Sequence, residues 1–275
     1  MGKTGVSAVW HDSNESWEFR ELPLPDLEND AIQVKVEATS VCGSDLHIWR
    51  GDGIDTKKHP RDPFVFGHEM MGTVASMGNK VTTDSLRKPL KEGDRIAFSY
   101  FFPCAKCYNC IRGEFGACKF RLGRKPLEEW PVCNGGFAQY YYLRSPHYIF
   151  KLPDEISNAS AAPINCALAQ VYDALHLGGV MMGDNIVIQG AGGLGINATA
   201  IANELGASKI IVIDGQKPRL DLAVQCGATD IIDMNEYDTP QSRIDRVMEL
   251  TNGIGADKVV EVVGFPQVVE EGVDM

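Results

Sequence analysis

Four of the eight cysteines in this chain fall close together, at a spacing that suits a metal ion. Cys104, Cys107, Cys110 and Cys118 form C-x2-C-x2-C-x7-C, and four thiolates so spaced can surround one tetrahedral zinc ion at about 2.3 Å. Such a site is closed to further ligands, which favours a structural role. An iron–sulfur cluster is disfavoured because the ferredoxin pattern places its fourth cysteine sooner and before a proline. A redox disulfide or another metal stays an alternative.

A second stretch with defined chemistry runs from residue 186 to residue 214. The β-branched run 186–188 predicts a buried strand, the pattern over 196–205 predicts a helix, and a G-x-G-x-x-G lies between them. Gly190 would allow the tight turn, Gly192 the approach of a pyrophosphate, and Gly195 close packing of helix and strand. The helix N-terminus then offers free N–H groups to the phosphates.

The end of the following strand bears on the choice of cofactor. Asp214 lies about 20 residues beyond the glycines, where a carboxylate accepts hydrogen bonds from a ribose 2′-OH and repels a 2′-phosphate. We therefore predict NAD rather than NADP, against the alternative of a glycine-rich turn that binds nothing. The predicted cofactor-binding residues are Gly190, Gly192, Gly193, Leu194, Gly195 and Asp214.

Composition limits the remaining possibilities. The 275 residues suffice for two domains, and 44% hydrophobic with 23% charged residues is an ordinary globular composition. A net charge of −11 argues against nucleic acid as a partner. No apolar run approaches the roughly 20 residues of a membrane helix, and the first residues contain no apolar signal core. We expect a cytoplasmic protein, in which clustered cysteines bind metal before they form disulfides.

The hydrophobic pattern changes near residue 154. Short strands with frequent turns precede it, at 7–10, 32–36, 95–99 and 137–143, and a helical pattern over 161–177 follows. Strands and helices then alternate, at 186–190, 196–205, 210–214, 218–226, 229–232, 240–251 and 258–263, which predicts a parallel doubly wound sheet. We place the domains at 1–156 and 157–275. A complete dinucleotide-binding sheet has six strands, so the four found here predict an incomplete one.

Several motifs in this order resemble one known family. The motifs are VCGSDLH at 41–47, GHE at 67–69, the four cysteines, AAPINCALAQVYDAL at 161–175 and GAGGLG at 190–195. Together they are similar to the zinc-dependent medium-chain alcohol dehydrogenases over nearly the whole chain. The resemblance implies a GroES-like β-barrel catalytic domain followed by a Rossmann domain, with the active site in a cleft between them.

The resemblance also implies a second, catalytic zinc. Its protein ligands would be Cys42, His68 and Cys166, none of which is persuasive alone, and two thiolates, one imidazole and one open position suit catalysis. Glu69 matches a carboxylate that sits behind the metal. Asp45 matches an acid that orients the ligand histidine.

The implied reaction is hydride transfer between an alcohol, or an aldehyde or ketone in reverse, and NAD. Zinc lowers the pKa of the bound alcohol, and the proton leaves through Ser44, the cofactor ribose and His47. Polyol and threonine dehydrogenases of the family tend to carry Glu-Pro where this chain has Cys166, which favours alcohol-type chemistry. Gln170 stands where many relatives have threonine beside the nicotinamide. Cys133 and Cys226 match no motif and are predicted to be structural thiols.

Two other interpretations stay open. Because the sheet is incomplete, the chain could be a non-catalytic, truncated zinc- and nucleotide-binding relative or a partner-dependent module. A zinc-free quinone reductase of the same superfamily is disfavoured because both zinc motifs are complete. The expected partner is a small-molecule alcohol or carbonyl compound. The resemblance implies a homo-oligomer, since relatives commonly pair a late strand of the sheet across a dimer, but that strand is missing from this sequence, so the oligomeric state stays open.

Overall fold

The computed structural model describes residues 3–12, 16–52, 63–121 and 135–275, so Cys133 lies outside the described residues. The chain divides into two compact units, Met1–Cys166 and Ala167–Met275. Among the described residues, no helix is long and apolar enough to cross a bilayer.

The first unit is built from antiparallel strands. A three-stranded sheet has the order β2-β1-β4, and a five-stranded sheet has the order β7-β3-β5-β6-β8. Ile32, Met70, Ile96 and Leu143 from the larger sheet are fully buried in its core. The strands are β1 (Thr4–Trp10), β2 (Glu18–Pro23), β3 (Ile32–Ser40), β4 (Phe64–Val65), β5 (Glu69–Met77), β6 (Arg95–Phe98), β7 (Tyr140–Leu143) and β8 (Ile149–Lys151). The short helices are α1 (Gly43–Arg50), α2 (Tyr108–Ile111) and α3 (Asn158–Ala161), with 3-10 turns at Phe115–Ala117 and Ala162–Asn165.

The register of β3 against β5 determines what lies at one end of this sheet. The pairing runs from Ile32 opposite Met77 to Ser40 opposite Glu69. The residues just after β3 and just before β5 are therefore neighbours in space. Cys42 and His68 occupy these two positions, so the sheet itself brings them together.

Gly67 is required immediately before His68. Its φ is +87°, and a Cβ there would lie 2.7 Å from the backbone nitrogen of Phe137. The backbone of Gly136 donates a hydrogen bond to the Gly67 carbonyl at 2.8 Å, so the two segments approach closely. A side chain at this position would push the histidine away from the end of β3.

The second unit contains the predicted parallel sheet. Its strand order is β11-β10-β9-β12, all parallel, and Ile186, Val187 and Ile188 of the central strand are fully buried. Burial on both faces explains the unbroken apolar run. The strands are β9 (Asn185–Gln189), β10 (Lys209–Asp214), β11 (Asp230–Asp233) and β12 (Lys258–Glu261), and the helices are α4 (Ala167–Leu177), α5 (Gly193–Glu204), α6 (Lys217–Gln225), α7 (Pro240–Leu250) and α8 (Pro266–Val273).

The helical pattern over 161–177 proved to be interrupted. The segment consists of the end of α3, the 3-10 turn that contains Pro163, Cys166 with non-helical dihedral angles, and then α4. Proline cannot continue an α-helix because it lacks the N–H and clashes with the preceding turn. The part before α4 packs on β3 and β5, and the division between the two units accordingly falls after Cys166 rather than after residue 156.

A buried ion pair joins α7 to α8. The guanidinium of Arg243 donates to both carboxylate oxygens of Glu271, at 2.6 and 2.7 Å, and both side chains are at least nine-tenths buried. Hydrogen bonds to Glu271 raise the pKa of Arg243 above its ordinary value. Glu271→Ala would leave a buried, unpaired guanidinium and should lower the free energy of unfolding by about 3–5 kcal/mol.

Urea denaturation followed by circular dichroism measures this loss. The exposed pair Lys217–Asp221 supplies the control, because Asp221→Ala should leave the midpoint unchanged. The double replacement Arg243→Met, Glu271→Leu should recover most of the stability. Equal midpoints for Glu271→Ala and the unmodified protein would contradict the expected cost.

Candidate active site

Four potential ligand atoms converge in the first unit. The Sγ atoms of Cys42 and Cys166, one ring nitrogen of His68 and one carboxylate oxygen of Glu69 all lie within 4.8 Å of one another. His68, Glu69 and Cys166 are buried, and Cys42 is half-buried. Two sulfurs, a nitrogen and an oxygen at these separations fit the donor set of a zinc ion with an exchangeable position.

Asp45 braces two members of this cluster. One carboxylate oxygen lies 3.3 Å from Nδ1 of His68, and the other accepts a hydrogen bond at 3.0 Å from the backbone N–H of Cys42. Asp45 is 4% exposed, so water does not compete for these contacts. Its contact with Nδ1 leaves Nε2 of His68 as the nitrogen available to a ligand.

The hydroxyl of Ser44 and the imidazole of His47, both on α1, lie in different surroundings. Ser44 Oγ is 3.4 Å from Nε2 of His68, on the side of the converging ligand atoms. His47, one turn further along α1, is exposed, and its Nδ1 lies 2.8 Å from a carboxylate oxygen of Asp52. Gly51 ends the helix in a left-handed conformation and returns the chain so that Asp52 reaches His47.

The pKa values of the clustered groups are shifted strongly by their neighbours. The hydrogen bond from Cys166, followed by that from His68, lowers the pKa of Cys42 to about 3. Burial works against a charged His68, but hydrogen bonds to Asp45 and Cys42 raise its pKa to about 9. The proximity of Cys42 raises the pKa of Cys166 far above its ordinary value. These shifts reflect how closely the potential ligand atoms and Asp45 approach one another.

Glu69 and Tyr100 complete the surroundings. Ser40 Oγ donates to Glu69 Oε2 at 2.7 Å, while burial raises the pKa of this carboxyl. The ring of Tyr100 lies 4.9 Å from that of His68, centroid to centroid. Burial and the neighbouring Cys166 raise the pKa of Tyr100, so the phenol stays neutral.

The four clustered cysteines surround a second potential metal centre. Cys107 Sγ lies 3.5 Å from Cys110 Sγ and 3.9 Å from Cys118 Sγ, and Cys104 Sγ lies 3.9 Å from Cys110 Sγ. A tetrahedron with zinc–sulfur bonds of about 2.3 Å has sulfur–sulfur edges of about 3.8 Å, so these separations fit zinc. All four are free thiols, and the separations are far longer than a disulfide bond.

The glycine-rich loop of the second unit has the form required of a phosphate cradle. A Cβ on Gly195 would lie 1.8 Å from the Gly190 carbonyl oxygen, so α5 and the loop touch. A Cβ on Gly192 or Gly193 would meet nothing within 4 Å, which leaves space where a pyrophosphate could lie. The side chain of Leu194 packs against the core of the unit, so only its backbone could face a cofactor.

Asp214, at the end of β10, is tied to this loop. Its Oδ2 accepts a hydrogen bond at 2.8 Å from the backbone N–H of Ala191, and its Oδ1 accepts one at 2.8 Å from Gln216. Each carboxylate oxygen can accept a second bond, so a ribose hydroxyl still fits. The guanidinium of Arg219 lies 3.7 Å from the same carboxylate.

Known proteins resemble both units. Residues 28–154 match the family described as Alcohol dehydrogenase GroES-like domain, and residues 193–275 match Zinc-binding dehydrogenase. L-threonine 3-dehydrogenase of Bacillus licheniformis is 34% identical over 261 residues, which are 94% of this chain and 69% of that protein. The chain belongs to the zinc-dependent medium-chain alcohol dehydrogenase family. Sorbitol dehydrogenase of Bacillus subtilis is 32% identical over 96% of this chain and 70% of its own.

The solved structures agree with this family. An alcohol dehydrogenase of Thermotoga maritima is 30% identical, with a TM-score of 0.89 over 99% of this chain and 74% of its own. The predictions of a GroES-like barrel followed by a Rossmann-type sheet are confirmed. So is the prediction of an alcohol dehydrogenase-type oxidoreductase that uses zinc and NAD.

Two contacts of this zinc-dependent dehydrogenase were not predicted from its sequence. The contact between His47 and Asp52 had a usable signal, namely an acid five residues after a histidine at the end of a helix. Arg219 was not connected with Asp214, because its position depends on how α6 follows β10. Cys226, predicted to be structural, lies at the end of α6 apart from both cysteine clusters.

Proposed function

We propose that Cys42, His68 and Cys166 hold the catalytic zinc of an NAD-linked alcohol dehydrogenase. The observation that carries the proposal is the convergence of these ligand atoms with Glu69 in one buried cluster. Cys104, Cys107, Cys110 and Cys118 would hold a structural zinc. The glycine-rich loop and Asp214 would hold NAD by its pyrophosphate and adenosine ribose.

The residues around the cluster would have separate roles in the reaction. Bound zinc supplies Lewis-acid polarisation of the substrate oxygen, and NAD supplies the hydride acceptor. Asp45 keeps His68 in the tautomer that offers Nε2. Ser44 Oγ would accept the hydroxyl proton of the alcohol while it releases its own, and the exposed His47, paired with Asp52, would exchange a proton with water at the outer end of the relay. Glu69 adds negative charge behind the ligand atoms.

The substrate class is an alcohol or the matching carbonyl compound. Relatives named L-threonine 3-dehydrogenase, sorbitol dehydrogenase and D-xylulose reductase A place threonine and polyols in the test panel. Such enzymes tend to have Glu-Pro where this chain has Cys166. Simple primary and secondary alcohols therefore belong in the test panel as well.

Purified chain with two equivalents of zinc tests the proposal directly. We expect saturable quenching or enhancement of NADH fluorescence, and NADH formation from NAD with at least one alcohol of the panel. Protein that binds two zinc ions and NADH but oxidises no member of the panel would favour the non-catalytic alternative.

Asp214 should determine the choice between NAD and NADP. Asp214→Ser removes the charge that opposes a 2′-phosphate and leaves Arg219 to attract it. We expect the ratio of kcat/KM for NADP to that for NAD to rise at least about tenfold, which corresponds to about 1.4 kcal/mol. Asp233→Ser, at the matching end of the next strand, is the control. An unchanged ratio in Asp214→Ser would mean that this carboxylate does not face the ribose.

A further inference from the structure

Asn165, the residue directly before Cys166, connects the segment of this cysteine to strands β5 and β6. Its Nδ2 donates a hydrogen bond to the carbonyl of Phe98 at 3.0 Å and approaches the carbonyl of Met70 at 3.5 Å. Phe98 is the last residue of β6, and Met70 lies two residues after His68 on β5. One side-chain amide thus connects the segment of Cys166 to β5, which begins directly after His68, and to the neighbouring strand β6.

The orientation of this amide is determined by its surroundings. Both neighbouring backbone groups are acceptors, so the NH2 group must face them and Oδ1 must point away. Oδ1 is buried, and no described residue donates a hydrogen bond to it.

Cys166 depends on this anchor because regular structure does not hold it. It lies between the 3-10 turn Ala162–Asn165 and α4, with φ −128° and ψ −82°, outside both helices. Its backbone N–H bonds only locally among the described contacts, to the carbonyl of Pro163 at 3.2 Å. Neither feature fixes the distance from its thiol to Cys42 or His68.

We propose that Asn165 is a positioning residue that sets the Cys166 thiol at the metal-binding distance from Cys42 and His68. The inference rests on the proposed function, since it concerns the same zinc. A side chain that orients a metal ligand typically changes metal affinity by about 10–100-fold when replaced.

The chain provides a matched control for general loosening of this segment. Arg95, on the same strand as Phe98, bonds to Asn158 Oδ1 at 3.1 Å, to the Pro153 carbonyl at 3.3 Å and to the Ile156 carbonyl. These hydrogen bonds hold residues 153–158 against β6, and none of them involves Cys166. Arg95→Met should destabilise the unit while leaving the affinity for the second zinc unchanged.

Zinc titration against a chelating dye tests the proposal, with the four-cysteine site as an internal standard. Asn165→Leu should lower the affinity for one of the two zinc ions by about 10–100-fold and leave the affinity for the other unchanged. It should also alter the visible spectrum of cobalt at the mixed-ligand site, which is the site of Cys42, His68 and Cys166, and leave the spectrum of cobalt at the four-cysteine site unchanged. If Asn165→Leu lacks the native circular dichroism spectrum, Asn165→Ser, which is too short to reach Phe98, is measured instead and should show the same selective loss.

Either of two results would overturn the inference. One is wild-type affinity for both zinc ions in the folded Asn165 variant. The other is an equal loss in Arg95→Met, which would mean that any loosening of the segment suffices. Failure of the unmodified protein to bind a second zinc would instead overturn the proposed function, so the two failures are distinguishable.

Discussion

Replacing Cys42 by serine should reduce the zinc content from two ions per chain to one and remove most of the turnover. Cys42 supplies one of the two sulfur atoms that converge with His68 and Glu69, so serine would replace one of the three proposed zinc ligands. Lewis-acid stabilisation is worth several kcal/mol, so we expect kcat/KM to fall by about 10³-fold or more. Metal analysis of the dialysed protein and initial rates of NADH formation provide the two measurements.

Two further Cys→Ser replacements make this result interpretable. Cys226→Ser, at the end of α6, changes a thiol outside both clusters and should leave two zinc ions and full activity. Cys104→Ser should remove the other zinc ion, lower thermal stability and leave the mixed-ligand site occupied in the remaining folded protein. Turnover close to wild type in Cys42→Ser would contradict the ligand assignment.

The sequence predicted the parts of this protein whose chemistry is local. The four cysteines lie within one short segment of the chain. Strand β9, the glycine-rich loop, helix α5 and strand β10, which ends at Asp214, follow one another directly. Each of the predicted strands and helices between 186 and 263 is present within a few residues of its expected bounds. Period and spacing suffice here because neighbouring residues in the chain are neighbours in space.

The mixed-ligand cluster could not be derived from spacing, and the family resemblance was needed to assemble it. Cys42, His68 and Cys166 meet because β3 and β5 pair in one register and because the segment before α4 packs on them. Helix α1, which begins just after Cys42, was also not predicted, because it is short and its first residue is Gly43, a weak helix former. Pro163 was a visible signal that the pattern over 161–177 would break.

Long-range polar contacts form the other group that the sequence did not reveal. Arg243 and Glu271 lie 28 residues apart, and Asp45 reaches His68 from another element. Charged side chains usually face solvent, so nothing in their local pattern predicts burial. Such contacts follow from the packing of whole elements, which periodicity does not encode.

Replacing Gly195 by alanine should weaken NADH binding while both zinc ions stay bound. The added Cβ would lie 1.8 Å from the carbonyl oxygen of Gly190, a backbone atom that cannot move without displacing the loop. We expect a loss of at least about 1–3 kcal/mol in stability, as for other overpacked sites, and a fall in NADH affinity of about 10–100-fold. Fluorescence titration with NADH and urea denaturation measure the two effects.

Gly193→Ala separates the shape of the loop from the space that the loop encloses. Its Cβ would meet no protein atom within 4 Å, so stability should be unchanged. If a pyrophosphate lies in that space, NADH affinity should still fall, although less than in Gly195→Ala. Unchanged NADH affinity in both variants would place the dinucleotide elsewhere. Loss in Gly195→Ala alone would mean that the loop supports the cofactor through its fold and not through contact at Gly193.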